Sequence, residues 1–401
     1  MKILFLCRWD TRFPTDGQLL YSDGILSSLE RLDADVTVLS TLRPDTVYLP
    51  PIPSRMMHAP SPWPKPLSLF SALSNDAFKQ RTSSFITALR EALDKQPDVI
   101  IFEYYATGWA MDIVLAHYDR QKIARPLLVY ISHNHEASLR SKVAAAYRGN
   151  AVMRYIVQRD AAKVGQMENK LIANCDLVFA ITEQDAELYR QAFPEKRYEI
   201  LLPAYSGGFR DAGLISADTP KRVIMMGSLI WIAKKENIRR FVLKAREKFE
   251  RAGVELVLIG RSEPEFLESL RKLSPCVTTL GFVEDPLPLL HASRIGLMPD
   301  ELGGGFKLRV MDYVFNGVPV ATIRSQTKGL PLDPDLDMIA ADSVEDLVDQ
   351  IISAIDDIDR LNAMARQAEQ KCAGKFDWES RGLILLRALD EARTDLKLRK
   401  G

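Results

Sequence analysis

Lys307, Arg309 and Asp312 follow three consecutive glycines, Gly303, Gly304 and Gly305, in the segment GGGFKLRVMDYVFNGVPVATIRSQTKGL. Glycines let main chain approach a ligand without side-chain obstruction, and the amphipathic run from Phe306 to Asn316 predicts a helix beginning there. A helix start offers free N–H groups and a favourable dipole to anions, so these glycines, Phe306 and Lys307 are candidates to cradle a phosphate. Asp312 and Asn316 share a helix face, and Asp312 is able to accept hydrogen bonds from vicinal hydroxyls. Phosphate plus diol is the chemistry of a nucleotide. The same residues also fit a plainer description: glycine triplets form turns, and Phe306, Val310 and Val314 are spaced as a core stripe. Gly317 then stops the helix, and Val318 to Ile323 reads as a short buried strand.

Other polar groups sit where strands end. An apolar run Val99 to Phe102 leads into Glu103, and Leu127 to Ile131 leads into Ser132, His133, Asn134, His135 and Glu136. The first strand, Lys2 to Cys7, leads into a loop with Asp10 and Gly17, and Val223 to Met226 leads into Gly227 and Lys234. In parallel sheets ligands bind at the carboxyl ends of strands, so all of these face a prospective cleft, with Asp10 and Glu103 on the acceptor side. His133 and His135 alone, without a clear third ligand, do not make a metal site, and none is expected. Each cluster equally suits an ordinary polar turn, and Lys234 a solvated surface.

The organising segment resembles the donor-site helix of retaining GT-B glycosyltransferases, especially family 4 (group 1). Gly227-Ser228-Leu229-Ile230-Trp231 resembles a GS-x-x-W turn of that family, Gly281-Phe282-Val283-Glu284-Asp285 its GFV-x-D, and the run at His133 its HN-x-E. The family's two acids spaced as E-x7-E fall at Gly304 and Asp312, and the two basic residues stand in swapped order. The resemblance implies a nucleotide-diphosphate sugar as donor substrate, no further cofactor and no metal. It implies that His133 lies beside the donor sugar, that Glu136 helps orient the site, that these two and Lys307 are the catalytic candidates, that Asn134 is on the donor-binding side, and that Gly17 lies near the donor phosphates. Lys307 would bind phosphate, Asp312 the ribose, and Arg309 would pair with Asp312. Charge on the leaving group would be offset by such cations and helix starts. The implied activity is transfer of a sugar with retention to a saccharide or lipid-linked acceptor in polysaccharide or glycoconjugate biosynthesis. A GT-B epimerase or hydrolase, or a scaffold that binds the nucleotide-sugar without turnover, are the alternatives.

Positioning these groups requires alternating strands and helices. Helical spacing at Leu19 to Leu32, Leu139 to Ala173 and Glu183 to Ala192, among strands, predicts one α/β unit. A second alternation runs from Val223 to Cys372, and Trp378 to Lys397 is a final helix. The expectation is two Rossmann-like, doubly wound parallel-sheet domains facing a cleft. Residues 1–205 form the acceptor side, 206–220 a hinge, 221–375 the nucleotide-sugar domain, and 376–401 a helix that the resemblance crosses back to the first. Residues 44–66 hold eight prolines, which excludes a regular helix or central strand; Trp63 there covers core or touches an acceptor or membrane. The absence of a G-x-G-x-x-G after a strand argues against a dinucleotide dehydrogenase.

Composition is compatible with that architecture. The 401 residues carry 53 basic and 53 acidic side chains, so no global field favours nucleic acid. Four cysteines lack metal-ligand spacing and read as reduced thiols. No apolar run reaches the length of about 18 residues that a membrane helix needs. The stretch Ser138 to Ile172 nevertheless has seven basic and two acidic residues. Those charges either pair elsewhere or lie on an anionic bilayer, so the expected location is cytoplasmic, with peripheral contact on the inner membrane face.

Overall fold

A computed structural model describes residues 1–12, 17–43, 52–207, 213–301, 306–327 and 329–398. The chain divides into two compact units: Met1–Pro14, Gln18–Pro203 and Trp378–Gly401 form one, Thr15–Gly17 and Ala204–Asp377 the other.

The first unit opens with β1 (Lys2–Trp9), α1 (Gly17–Arg31, whose first residue groups with the second unit), β2 (Asp35–Thr41) and β3 (Arg55–His58). Next come α2 (Asn75–Gln80), α3 (Ser83–Asp94), β4 (Val99–Glu103), α4 (Met111–Gln121) and β5 (Leu127–Ile131). The unit continues through α5 (Glu136–Ala146), α6 (Ala151–Asn174), β6 (Leu177–Ala180), α7 (Glu183–Ala192) and β7 (Arg197–Ile200). The strands form a parallel sheet ordered β3-β2-β1-β4-β5-β6-β7. Strands β1, β4, β5 and β6 read as nearly unbroken apolar runs because helices cover both faces of a parallel sheet.

The second unit holds β8 (Arg222–Met226), α8 (Ile232–Ala252), β9 (Glu255–Ile259), α9 (Pro264–Arg271), β10 (Val277–Gly281), α10 (Leu287–His291) and β11 (Ile295–Met298). It closes with α11 (Leu308–Val314), β12 (Val320–Ile323), β13 (Ile339–Ala341), α12 (Val344–Ala354) and α13 (Ile358–Cys372). Its parallel sheet is ordered β10-β9-β8-β11-β12-β13 around its own apolar core. The last helix, α14 (Trp378–Leu398), belongs to the first unit. There Arg197 on β7 pairs with Glu391 at 2.8 Å, and Trp378 lies so close to Gly24 of α1 that a Cβ would meet its ring at 2.2 Å.

Three local expectations change. The single helix over Leu139 to Ala173 is two, because the chain turns at Tyr147–Asn150 and Asn150 restarts it, its side chain accepting from Met153 N at 2.9 Å. The proline-rich stretch, where a central strand is excluded, contains the edge strand β3, and of the two places open to Trp63 its 62% exposure rules out the core. Helix α11 is shorter than Phe306–Asn316, and β12 starts at Val320, since Val318 N still bonds back to Tyr313 O and Pro319 has no N–H. Phe306 is buried against Phe376, with ring centroids 5.8 Å apart, which makes it a packing residue.

Candidate active site

In each sheet the order reverses once, between β1 and β4 in the first unit and between β8 and β11 in the second. At such a point neighbouring loops leave in opposite directions and open a crevice at the carboxyl ends of the strands. The candidate residues gather at these two points.

At the first, Glu103 ends β4 and is wholly buried. Its Oε1 meets both His133 Nε2 and Ser22 Oγ, and its Oε2 accepts from Cys7 Sγ at 3.3 Å. Burial alone would raise the Glu103 pKa, but the charge of His133 and hydrogen bonds from His133, Ser22 and Cys7 outweigh it and hold it below the usual range. The imidazole is further fixed edge-on to Tyr21 and Tyr104, with centroids at 5.1 and 5.4 Å. Glu103 was expected on the acceptor side; lacking solvent exposure, it instead holds His133 from beneath. Asp10 differs from expectation in the same way, being 3% exposed and paired with Arg12 at 2.9 Å.

Beyond His133, Asn134 Nδ2 donates to Glu136 Oε1 at 3.0 Å. Arg140 Nε donates to the other oxygen of Glu136 at 3.0 Å, and its Nη2 to Tyr104 Oη at 2.9 Å. Tyr104 has a φ of 71°, rare for a residue with a side chain, and such strain persists where surrounding contacts impose it. Arg8 stacks over the same ring at 5.0 Å and pairs with Asp76 at 2.7 Å. The two histidines do not act together: His135 Nδ1 accepts from Ser138 N at 3.1 Å, capping α5. Among the described residues no group of three or more His, Cys, Asp or Glu side chains is placed to hold a metal.

At the second point Gly227 follows β8 with a φ of 134°, and a Cβ there would lie 2.5 Å from the Arg309 guanidinium. Only glycine allows that approach. Asp300, two residues past β11 and 1% exposed, bonds Lys234 Nζ and accepts from Asn237 Nδ2 at 3.0 Å. Burial works against its ionisation, but Lys234 and Lys307 nearby lower its pKa all the same. Lys307 is 9% exposed, immediately before α11. One turn on, burial raises the Asp312 pKa, against the charge of Arg309 and a hydrogen bond from Tyr205. Arg309 therefore acts on Asp312 through its charge while its guanidinium lies against Gly227. Gly303, Gly304 and Gly305 lie outside the described residues. Gly17 is the first residue of α1.

Sequence reasoning places Tyr104 beside Glu103 in the polar cluster after β4 but misses Asp300 and Arg140. Asp300 follows an apolar run within two residues, as Glu103 does, so the same rule would have found it. Arg140 had no comparable signal, because its role depends on a turn of α5 facing β4.

Residues 220–357 match the family model of glycosyl transferases group 1. No curated protein matches the chain. Among solved structures the fold is similar to sucrose-phosphate synthase from Thermosynechococcus elongatus, at 15% identity and a TM-score of 0.69, covering 98% of this chain and 99% of that one. WaaG, a glycosyltransferase involved in lipopolysaccharide biosynthesis, is similar at 15% identity and a TM-score of 0.66, covering 97% and 99%. HepE of Anabaena, solved with UDP and glucose, is similar at 15% identity and a TM-score of 0.62, covering 98% and 100%. The chain thus has the GT-B fold, and the stretch similar to group 1 glycosyl transferases lies within its second unit.

Proposed function

We propose that the protein transfers a sugar from a nucleoside diphosphate sugar to a saccharide or lipid-linked acceptor, with retention and without a metal, in polysaccharide or glycoconjugate biosynthesis. The observation that carries this reading is that the family match spans the strand ends and following helices that bear Gly227, Lys234, Asp300, Lys307 and Asp312. Lys307 and Lys234, kept together by Asp300, offset the diphosphate charge, which is greatest as the leaving group departs. Asp312 accepts from the ribose hydroxyls, and Arg309 sets its charge. On the first unit His133 contacts the sugar, steadied by Glu103, while Asn134 and Glu136 orient that loop. HepE has been solved with UDP-glucose, which makes a uridine nucleotide the first donor to try. The test is incubation with labelled UDP-glucose and other nucleotide sugars over saccharide and lipid acceptors, with and without EDTA, followed by NMR of the product anomer. An inverted product, or complete loss with EDTA, overturns retention or metal independence respectively. Release of free sugar or an epimer without acceptor identifies a hydrolase or epimerase; nucleotide binding with no turnover identifies a scaffold.

A lipid-linked acceptor is favoured by exposed side chains of the first unit on helix α6 and on a turn that contacts it. The 3-10 turn Lys65–Phe70 is tied to α6 by Lys163 Nζ donating to Ser68 O at 2.6 Å. Phe70 on this turn is 89% exposed, and Val152 and Tyr155 on α6 are 69% and 59% exposed, beside the exposed Arg154 and Arg159. Exposed apolar and cationic side chains together suit an anionic membrane surface, each cation contributing about 1 kcal/mol near it. No helix among the described residues is long and apolar enough to cross a membrane. Flotation with anionic liposomes, lost at high salt or on charge reversal of Arg154 and Arg159, is the expected result; no flotation at low salt overturns it.

A further inference from the structure

Glu168, in the C-terminal third of α6, is wholly buried and receives four donors. Glu136 N at 3.1 Å, Tyr130 Oη at 3.1 Å and Tyr189 Oη at 2.7 Å all reach its Oε1, and Ala137 N reaches Oε2 at 2.8 Å. The first two main-chain N–H groups of α5 therefore end on this carboxyl group. Tyr189 Oη also lies 2.8 Å from Asn134 O. A phenol has one hydrogen, so it cannot donate to both acceptors at once. Both short contacts become hydrogen bonds if Glu168 carries a proton: Glu168 Oε1–H donates to Tyr189 Oη, and the Tyr189 proton turns to Asn134 O.

We infer that Glu168 is a positioning residue whose protonation turns the Tyr189 hydroxyl to Asn134 O and so locks the main chain at Asn134 and with it the loop from His133 to Glu136. The step is a single protonation: solvent supplies the proton, the Glu168 O–H bond forms, and the phenol rotates without losing its own hydrogen. The groups facing Glu168 are Tyr130 from β5, Glu136 from α5 and Tyr189 from α7; Tyr189 is itself faced by Asp185 from the same helix, by the His135 ring with centroids 4.7 Å apart, and by the hydroxyl of Ser132. The neighbouring 3-10 segment Tyr105–Ala110 meets α6 through Gly108 against Met167 and Leu171 and brings no charge to Glu168. Burial first, then the like charge of Glu136, raises the Glu168 pKa to about 7, against the pull of its donors. The lock accordingly opens and closes near neutral pH. Its kinetic consequence rests on the transferase reading above; its structural consequence does not.

The test has one arm for each. In the full-length protein without substrate, NMR follows the Glu136 and Ala137 amides and the Asn134 carbonyl carbon between about pH 5.5 and 8.5. All three are expected to titrate together near pH 7, none of them in Glu168→Gln, whose amide group donates to Tyr189 at every pH. In Tyr189→Phe the two amides still titrate while the Asn134 carbonyl does not. No common titration in the wild type, or an Asn134 response that survives Tyr189→Phe, overturns the inference. In the kinetic arm, wild-type kcat is expected to fall about threefold to tenfold as pH rises through 7, the loss of one hydrogen bond, with the donor KM little changed. Glu168→Gln keeps the acidic plateau at high pH. If no donor is turned over, the transferase reading fails while the NMR arm still decides the lock; if Glu168→Gln does not fold, Tyr189→Phe decides it.

Discussion

The two sheets share a topology, yet the crevices at their reversal points are furnished in opposite ways. At the β1/β4 point a buried carboxylate, Glu103, clamps an imidazole, and aromatic rings close around it. At the β8/β11 point a buried carboxylate, Asp300, is approached by the buried Lys307 and paired with Lys234, whose side chain is 27% exposed. In the first case the contact is sealed and fixes the orientation of the imidazole; in the second the ion pair is partly open to solvent. One fold thus supports a half that fixes an imidazole and a half that gathers cations, because a parallel sheet dictates where side chains emerge and not which ones they are.

The comparison breaks most sharply at Glu103. Glu103→Ala leaves His133, Ser22 and Cys7 without their shared acceptor, and removing one partner of a buried pair costs about 3–5 kcal/mol. Urea unfolding is expected to show that loss. The pH dependence has a definite sign. The folded pKa of Glu103 lies below its ordinary 4.5, so its stabilisation is present above that pH and is lost as pH falls through the folded value. Glu168 has the opposite sign: with its pKa raised to about 7, its contribution is fully present below 4.5 and declines as pH rises through 7. Thermal denaturation of Glu168→Gln should therefore gain on the wild type between those limits, whereas Glu103→Gln should lose least in acid.

The second half should answer in affinity rather than stability. Lys307→Ala and Asp312→Ala each remove a charge-assisted contact worth about 1.5–3 kcal/mol, so calorimetry should show nucleotide binding weakened about tenfold or more in a folded protein. Equal affinity in both variants would remove the donor-site assignment. A smaller effect is expected at Gly227: Ala at a φ of 134° is strained and pushes Arg309 away, costing about 1–3 kcal/mol in stability. Chemical unfolding of Gly227→Ala measures it. The smallest sharpening is Lys235→Ala, whose Glu263 partner is exposed, so nucleotide affinity and melting temperature should both stay near wild type.

Much of the architecture was legible because parallel strands buried on both faces leave apolar runs. Val99 to Phe102, Leu127 to Ile131 and Ile295 to Met298 each became a strand within a residue of the predicted ends. Gly317 marked the end of α11 because a left-handed residue is needed there, and it has a φ of 65°. The sites were legible as addresses, the loops after strands, since that follows from sheet direction alone.

What periodicity does not carry is the angle at which elements meet. Only the packed structure placed Glu103 under His133 instead of toward an acceptor, and only packing brought Glu168 from α6 to the start of α5. Linear order likewise gave Lys234 and Asp300 no relation, 66 positions apart, until β8 and β11 became neighbours. The sequence by itself determined which segments are strands and helices, because burial imposes a local pattern on each. Tertiary structure decided which polar groups share a hydrogen or a charge, because those interactions reach only a few ångströms and join residues that no local pattern connects.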